Sequence, residues 1–206
     1  MPATYDGARA LASAAARLEG ERDGLPALFF LTDPDRIKDP LAAAAGLRPG
    51  SGVILRHFGR PDQIALAADL ARICRSGGHV FLIAADPQLA RRSGADGVHW
   101  PAAQIASALR WRRREPRCIM TASAHDPSEL RRAARLADAA LLSPVFPSDS
   151  PSAGRPLGPW RAGALARRAA VPVYALGGVT PRRAKRLRRL GFSGVAAVDA
   201  AASSDR

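Results

Sequence analysis

Eight short apolar runs, each followed by a segment of helical spacing, constrain this chain more than any other feature. The runs are "ALFFLT" (27–32), "GVILRH" (52–57), "HVFLIA" (79–84), "GVHW" (97–100), "RCIMTA" (117–122), "AALLSP" (139–144), "PVYALG" (172–177) and "GVAAV" (194–198). Between them helices are expected near 39–47, 62–77, 86–93, 102–114, 127–136, 160–169 and 180–190, where alanine or leucine recurs at helical spacing and arginine fills the other faces. Runs this short and apolar read as strands buried on both faces, and parallel strands need crossover helices. The alternation predicts an α/β fold, a (β/α)8 TIM barrel forming a single domain. An open doubly wound sheet fits less well. No GxGxxG follows the first run, and polar or glycine-rich sequence follows nearly every strand instead of gathering at one switch point. Another helix is expected near 6–20. The expected organisation is 1–24 as an N-terminal helical extension, 25–200 as the barrel and 201–206 as a short tail.

With 206 residues, 47% of them hydrophobic, the chain can bury a sizeable core. It has no run of 18 apolar residues, and its start lacks the basic-then-apolar order of a secretory signal, so a cytoplasmic protein without a membrane partner is expected. Cys74 and Cys118 lie far apart without metal-ligand spacing, which argues against zinc and a disulfide framework and for small buried side chains. A net charge of +13 raises nucleic acid as a partner. However, the basic clusters 110–117 and 182–189 carry neither interleaved aromatics nor a nucleic-acid motif, and they read as solvated helix faces. Oligomeric state stays open, a homo-oligomer included.

In a parallel barrel the strand-to-helix loops share one face, so residues scattered along the sequence converge there. After the seventh run, "LGGVTPRRA" offers Gly177 and Gly178, then Thr180 as a helix N-cap with Pro181 at the first helical position. That is a phosphate cradle or a plain tight turn. After the eighth, "VDAAAS" is small enough for close backbone approach. In "TASAHDPSEL" Asp126 or Ser128 can cap the next helix, with Glu129 near the capping-box position. Ser123 and His125 remain as candidates for acid–base work, beside a structural reading. Arg56, ending the second run, either grips an oxyanion or makes a rim ion pair.

The motifs "GADGVH" (94–99), "SAH" (123–125), "SPVFPS" (143–148) with "PLG" (156–158), "PVYALGGVTP" (172–181) and "GFSGVAAV" (191–198) together resemble the thiamine-phosphate synthase/TenI family of (β/α)8 barrels, over roughly residues 27–200. The resemblance implies a role in thiamine biosynthesis. The synthase joins a hydroxymethylpyrimidine diphosphate to a thiazole phosphate and releases pyrophosphate, with Mg2+ on the diphosphate. The TenI branch tautomerises a thiazole carboxylate phosphate with a histidine as acid and base, a role that falls to His125. Both hold the thiazole phosphate at the loops after strands seven and eight. Here that implies Gly177, Gly178 and the backbone near Val198 and Asp199.

The chain departs from the family pattern where the metal and diphosphate are held. The family's Asn-Asp pair after strand three is Ala84-Ala85 here, with Asp86 one residue on as either a substitute ligand or a helix N-cap. A second family acid falls at about Gln104, and the lysine of the loop after strand six falls at Pro151. That loop keeps the length of a lid, hydroxyls at Ser148 and Ser150, and Arg155 as a replacement cation. Arg56 matches the family arginine, while Ile54 and Phe58 replace a glutamine and a lysine. The resemblance therefore implies a retained thiazole-phosphate site beside an altered Mg2+–diphosphate site. Three functions follow: a divergent synthase, a tautomerase using His125, or a non-catalytic binder of a phosphorylated ligand.

Overall fold

The computed structural model describes residues 4–20, 22–148 and 154–198. Its elements run α1 (Thr4–Ala15), β1 (Leu28–Leu31), α2 (Pro40–Ala45), β2 (Gly52–Leu55), α3 (Gln63–Gly77), β3 (Val80–Ala84), α4 (Pro87–Ser93) and β4 (Gly97–Trp100). They continue with α5 (Ala106–Arg114), β5 (Ile119–Ala124), α6 (Pro127–Leu136), β6 (Ala139–Leu142), α7 (Pro159–Ala166), β7 (Val173–Ala175), α8 (Pro181–Lys185) and β8 (Gly194–Ala197). The strands pair in sequence order, all parallel, and β8 pairs with β1 to close the barrel.

Period-two alternation divides the apolar residues between two layers. Phe29, Leu31, Ile54, Leu82, Ala84, Leu141, Tyr174 and Ala196 fill the barrel interior. Their neighbours Leu28, Phe30, Val53, Leu55, Phe81 and Ile83 pack outward against the helices. Phe29 and Tyr174 meet edge to face at 5.0 Å, and the Tyr174 hydroxyl donates to the Pro26 carbonyl at 2.7 Å. Room for these rings comes from Gly52 and Gly194, where a Cβ would lie 2.2 Å from Phe29 and 2.5 Å from Tyr174.

Several element boundaries differ from the sequence expectation for local reasons. β5 runs 119–124 rather than 117–122, because Ser123 and Ala124 extend the ladder opposite Leu141 and Leu142. β2 ends at Leu55, and the Arg56 N–H donates to the Thr32 hydroxyl at 2.9 Å. A separate 3-10 turn, Ala102–Gln104, precedes α5. α8 is five residues long, and 186–190 is a series of turns with Arg189 in the left-handed region at φ 59°. Cys74 is buried and its thiol is pushed up to about 12 by burial. Cys118 is only half-buried, contrary to expectation, and accepts the Trp111 indole N–H at 3.3 Å.

The expected 6–20 helix is Thr4–Ala15, and it packs on the barrel wall. Leu11, Ala12 and Ala15 join the outer core, with α1 lying against α8 and β1. Ser13 accepts from Arg48 beyond α2, the Gly20 N–H donates to the Phe192 carbonyl, and the Arg22 guanidinium donates to the Ser193 carbonyl. The helix thus fills the outer-ring position beside the β8–β1 seam. Among the described residues no helix is long and apolar enough to cross a membrane.

Candidate functional site

A cavity of about 710 Å³ opens at the C-terminal ends of the strands. It forms there because the interior, apolar at the level of Phe29 and Tyr174, turns polar one layer higher. His99 is the penultimate residue of β4, with Thr121 and Ser123 beside it on β5. The His99 ring bridges them, Nδ1 lying 2.8 Å from Thr121 Oγ1 and Nε2 2.9 Å from Ser123 Oγ. His99 is 3% exposed. Burial, then the nearby Arg56 charge, pull its pKa down to about 3, so the ring is neutral and one nitrogen donates while the other accepts. It fixes Ser123 at the cavity wall.

His125 follows at the end of β5. Asp126 caps α6, accepting from Ser128 N and Glu129 N at 2.7 and 2.8 Å, while Glu129 reaches back to the His125 N–H at 2.8 Å. The expected capping box is therefore present with Asp126 as the cap. His125 Nδ1 lies 3.1 Å from the Ser143 carbonyl. A carbonyl only accepts, so Nδ1 carries the hydrogen and, in the neutral ring, Nε2 keeps its lone pair. The arrangement suits a proton acceptor on the cavity wall.

Across the cavity, the loop after β7 carries Gly177 at φ 87° and Gly178 at φ 61°. Both residues line the cavity, but their lack of a side chain serves another purpose. A Cβ at Gly177 would sit 2.8 Å from Pro144, and one at Gly178 would sit 2.1 Å from the Pro147 carbonyl oxygen. The glycines let this loop press against the base of the loop after β6. There the Val145 and Phe146 N–H groups donate to the Leu176 and Gly177 carbonyls, and Arg183 donates to the Gly178 and Pro147 carbonyls. Among the described residues, the N–H groups of Gly177, Gly178 and Val179 have no acceptor. Three successive free N–H groups, the first two on left-handed glycines, leave a small nest of donors in this loop. Thr180 caps α8 by accepting from Arg183 N, as expected.

Of the other residues singled out from sequence, Arg56, Ser148, Arg155 and Val198 all line this cavity. Ser150, Pro151 and Asp199 lie outside the described residues. Asp86 does not line it: its carboxylate accepts from Leu89 N at 2.8 Å as the N-cap of α4, the structural alternative of the two. Ala84 is buried in the barrel interior and Ala85 adopts φ 61°, its N–H donating to the His99 carbonyl at 2.9 Å. Sequence reasoning missed Arg36, His99 and Arg183. Arg183 was hidden in a basic run that looked like a solvated face, yet it lines the cavity and clasps two loops together.

The electrostatics are one-sided. Arg36, Arg56, Arg155 and Arg183 line the cavity, whereas none of its described lining residues is Asp or Glu. Burial lowers the Arg56 pKa from its ordinary value, Asp33 opposing this and Arg36 adding to it, although a guanidinium stays charged at any physiological pH. Among the described residues no group of three or more His, Cys, Asp and Glu can hold a metal ion. A hard dication needs anionic oxygen ligands, and the described lining of the cavity carries no carboxylate.

A closed eight-stranded barrel with a basic cavity at the C-terminal ends of its strands, free N–H groups after β7 and an oriented histidine after β5 defines a TIM-barrel protein whose candidate site lies on the face where such barrels carry theirs. Residues 28–201 match the thiamine monophosphate synthase (TMP-TENI) family, and the chain belongs to that family of thiamine biosynthesis. It is 32% identical over 180 residues to a thiamine-phosphate synthase of Chromobacterium violaceum, covering 82% of this chain and 86% of that protein. With a thiamine-phosphate synthase of Geobacillus kaustophilus the identity is 30% over 196 residues, covering 90% and 88%. A solved thiamine phosphate pyrophosphorylase from Pyrococcus furiosus shares the fold at TM-score 0.71 and 22% identity, covering 82% of this chain and 83% of that one.

Proposed function

We propose that the protein binds a thiazole phosphate with its phosphate on the Gly177–Val179 nest, and that the chemistry performed there is proton transfer by His125. The observation carrying this reading is the pairing of His125 Nδ1 with the Ser143 carbonyl, which leaves Nε2 free on the wall of the cavity that also holds the nest. Ser123, oriented by His99, adds a hydroxyl able to donate to or accept from the ligand. Val198, Ser148 and Arg155 line the same cavity and are the further side chains offered to the ligand. This makes the protein a tautomerase of the TenI type, acting on a thiazole carboxylate phosphate without Mg2+. A cytoplasmic location suits such an enzyme.

The second reading is a synthase, favoured by relatives at 30–32% identity that bear that name. It requires pyrophosphate to leave from a cavity whose described lining lacks metal carboxylates. Leaving-group charge must be met by cations where it develops, and here guanidiniums alone would meet it. Loss of even ~5 kcal/mol of that stabilisation lowers turnover roughly 4,000-fold.

The deciding experiment is calorimetric titration with thiazole phosphate, followed by two assays of the purified chain. One follows tautomerisation of thiazole carboxylate phosphate by NMR. The other follows thiamine phosphate formation from both synthase substrates across Mg2+ concentration. Tautomerisation with thiamine phosphate at background is the expected result. Absence of thiazole phosphate binding overturns the whole reading, and family-typical, Mg2+-dependent thiamine phosphate formation overturns the choice of reaction.

A further inference from the structure

Resting on the reading of the β7 loop as a phosphate site, we infer that Arg183 is a positioning residue: its guanidinium replaces a missing backbone donor and so fixes the direction of the Val179 N–H. The loop after β7 lies along the base of the loop after β6 as a short ladder. The Val145 N–H donates to the Leu176 carbonyl at 2.9 Å and the Phe146 N–H to the Gly177 carbonyl at 3.1 Å. The next rung would join residue 147 to the Gly178 carbonyl. Residue 147 is a proline and has no N–H to give. The two loops still touch there, since a Cβ on Gly178 would lie 2.1 Å from the Pro147 carbonyl oxygen. Arg183 supplies the donor instead, its Nη1 reaching the Gly178 carbonyl at 2.8 Å and the Pro147 carbonyl at 3.3 Å.

The peptides between Leu176 and Val179 are trans, and in a trans peptide the carbonyl and the N–H that follows it point in opposite directions. Holding the Leu176, Gly177 and Gly178 carbonyls against the β6 loop therefore turns the N–H groups of Gly177, Gly178 and Val179 away from that loop as a set. Two of the three holds are backbone rungs; the third depends on one side chain. A glycine's backbone turns at little steric cost, so the Gly178–Val179 peptide keeps its direction only while its carbonyl is bound. Arg183 is itself held in place. Its guanidinium lies 5.6 Å from the centroid of the buried Phe146 ring, a cation–π contact, and its own N–H donates to the capping Thr180 hydroxyl at 3.2 Å. Among the described residues it has no carboxylate within ion-pair distance, and it lines the cavity.

The test uses NMR on the isotope-labelled full chain. Residual dipolar couplings report the direction of each N–H without ligand, and titration with inorganic phosphate reports affinity. Arg183→Met keeps an apolar stem and removes the donors, while Arg183→Lys keeps the charge without the planar fork and repeats the measurement should the first variant not fold. Arg186→Met is the control. Its guanidinium lies over the same Phe146 ring at 5.9 Å but, among the described residues, bonds neither loop. Arg183→Met should turn the Val179 N–H while those of Gly177 and Gly178 keep their direction. It should also weaken phosphate about 10–100-fold, the range of one lost hydrogen bond to a charged group. Arg183→Lys should displace the same N–H and stay weaker than wild type. Arg186→Met should leave the Val179 direction unchanged and alter affinity by less than ~3-fold, as expected for loss of an exposed charge. An unchanged Val179 direction in the Arg183 variants overturns the positioning role. So does wild-type affinity in Arg183→Lys with the Val179 N–H displaced, because charge alone would then suffice. A Val179 N–H that turns in Arg183→Met, in a protein whose wild type binds no phosphate at these amides, supports the positioning role and overturns the phosphate reading instead.

Discussion

Replacing Gly178 by alanine should damage the protein before any ligand is involved. The added methyl would lie 2.1 Å from the Pro147 carbonyl oxygen, where an ordinary C···O contact is ~3.3–3.6 Å. The two loops must part by more than ~1 Å, yet they are tied by Phe146 N–H to the Gly177 carbonyl and by Arg183 to both sides. Overpacking of this kind costs about 1–3 kcal/mol. A left-handed alanine at φ 61° adds about 1–2 kcal/mol, offset by about 0.4–1 kcal/mol from the less flexible unfolded chain. The net is about 3 kcal/mol, or roughly 6–12 °C in Tm for a domain of this size. Gly154→Ala is the control, since a methyl there meets nothing within 4 Å, and it should change stability by less than ~0.5 kcal/mol. Urea denaturation of both variants measures the difference, and phosphate titration of the folded Gly178→Ala protein should show weakened affinity because the nest has moved. If Gly178→Ala is as stable as Gly154→Ala, the account of these glycines as a loop-to-loop contact is wrong.

Stability should decline on acidification below about pH 6.5. Burial holds His57, His79 and His99 below the ordinary histidine value, so their contribution is complete above the unfolded pKa and is lost as pH falls towards their folded values, about 3 for His99. Urea midpoints that rise between pH 7.5 and 5 would contradict this. His125→Ala should lower tautomerase turnover about 10²–10⁴-fold with phosphate affinity nearly intact, and a mutant with unchanged turnover removes His125 from the mechanism. Tyr174→Phe should cost about 1–3 kcal/mol, because the buried Pro26 carbonyl loses its 2.7 Å donor; a midpoint equal to wild type would show that another donor replaces it.

The barrel was legible because its strands are short, apolar and regularly interrupted, and burial on both faces leaves few other arrangements. Capping residues were legible for the same reason: Asp126 and Thr180 act locally, within three residues of the N–H groups they bind. Arg36 and Arg183 were not, because an arginine in an arginine-rich chain shows nothing of its function until distant segments are folded around it. Asp86 offered two readings, and the neighbouring proline made the local one, a cap, sufficient. The glycine pair marked a loop that lines the cavity, although its tight contact is with Pro144 and Pro147, a relation across more than thirty residues that no short motif could express.

Placing α1 beside the β8–β1 seam has a consequence for how the chain matures during translation. α1 and β1 leave the ribosome first, while α8 and β8, which complete the seam, leave last. At typical elongation rates the interval is roughly 10–30 s, during which β1 has an unsatisfied edge. α1, which touches β1 in the finished barrel, is synthesised before it and so is available to cover part of its outer face during that wait. The first helix can therefore serve as a temporary shield for the nascent chain before it becomes part of the finished wall.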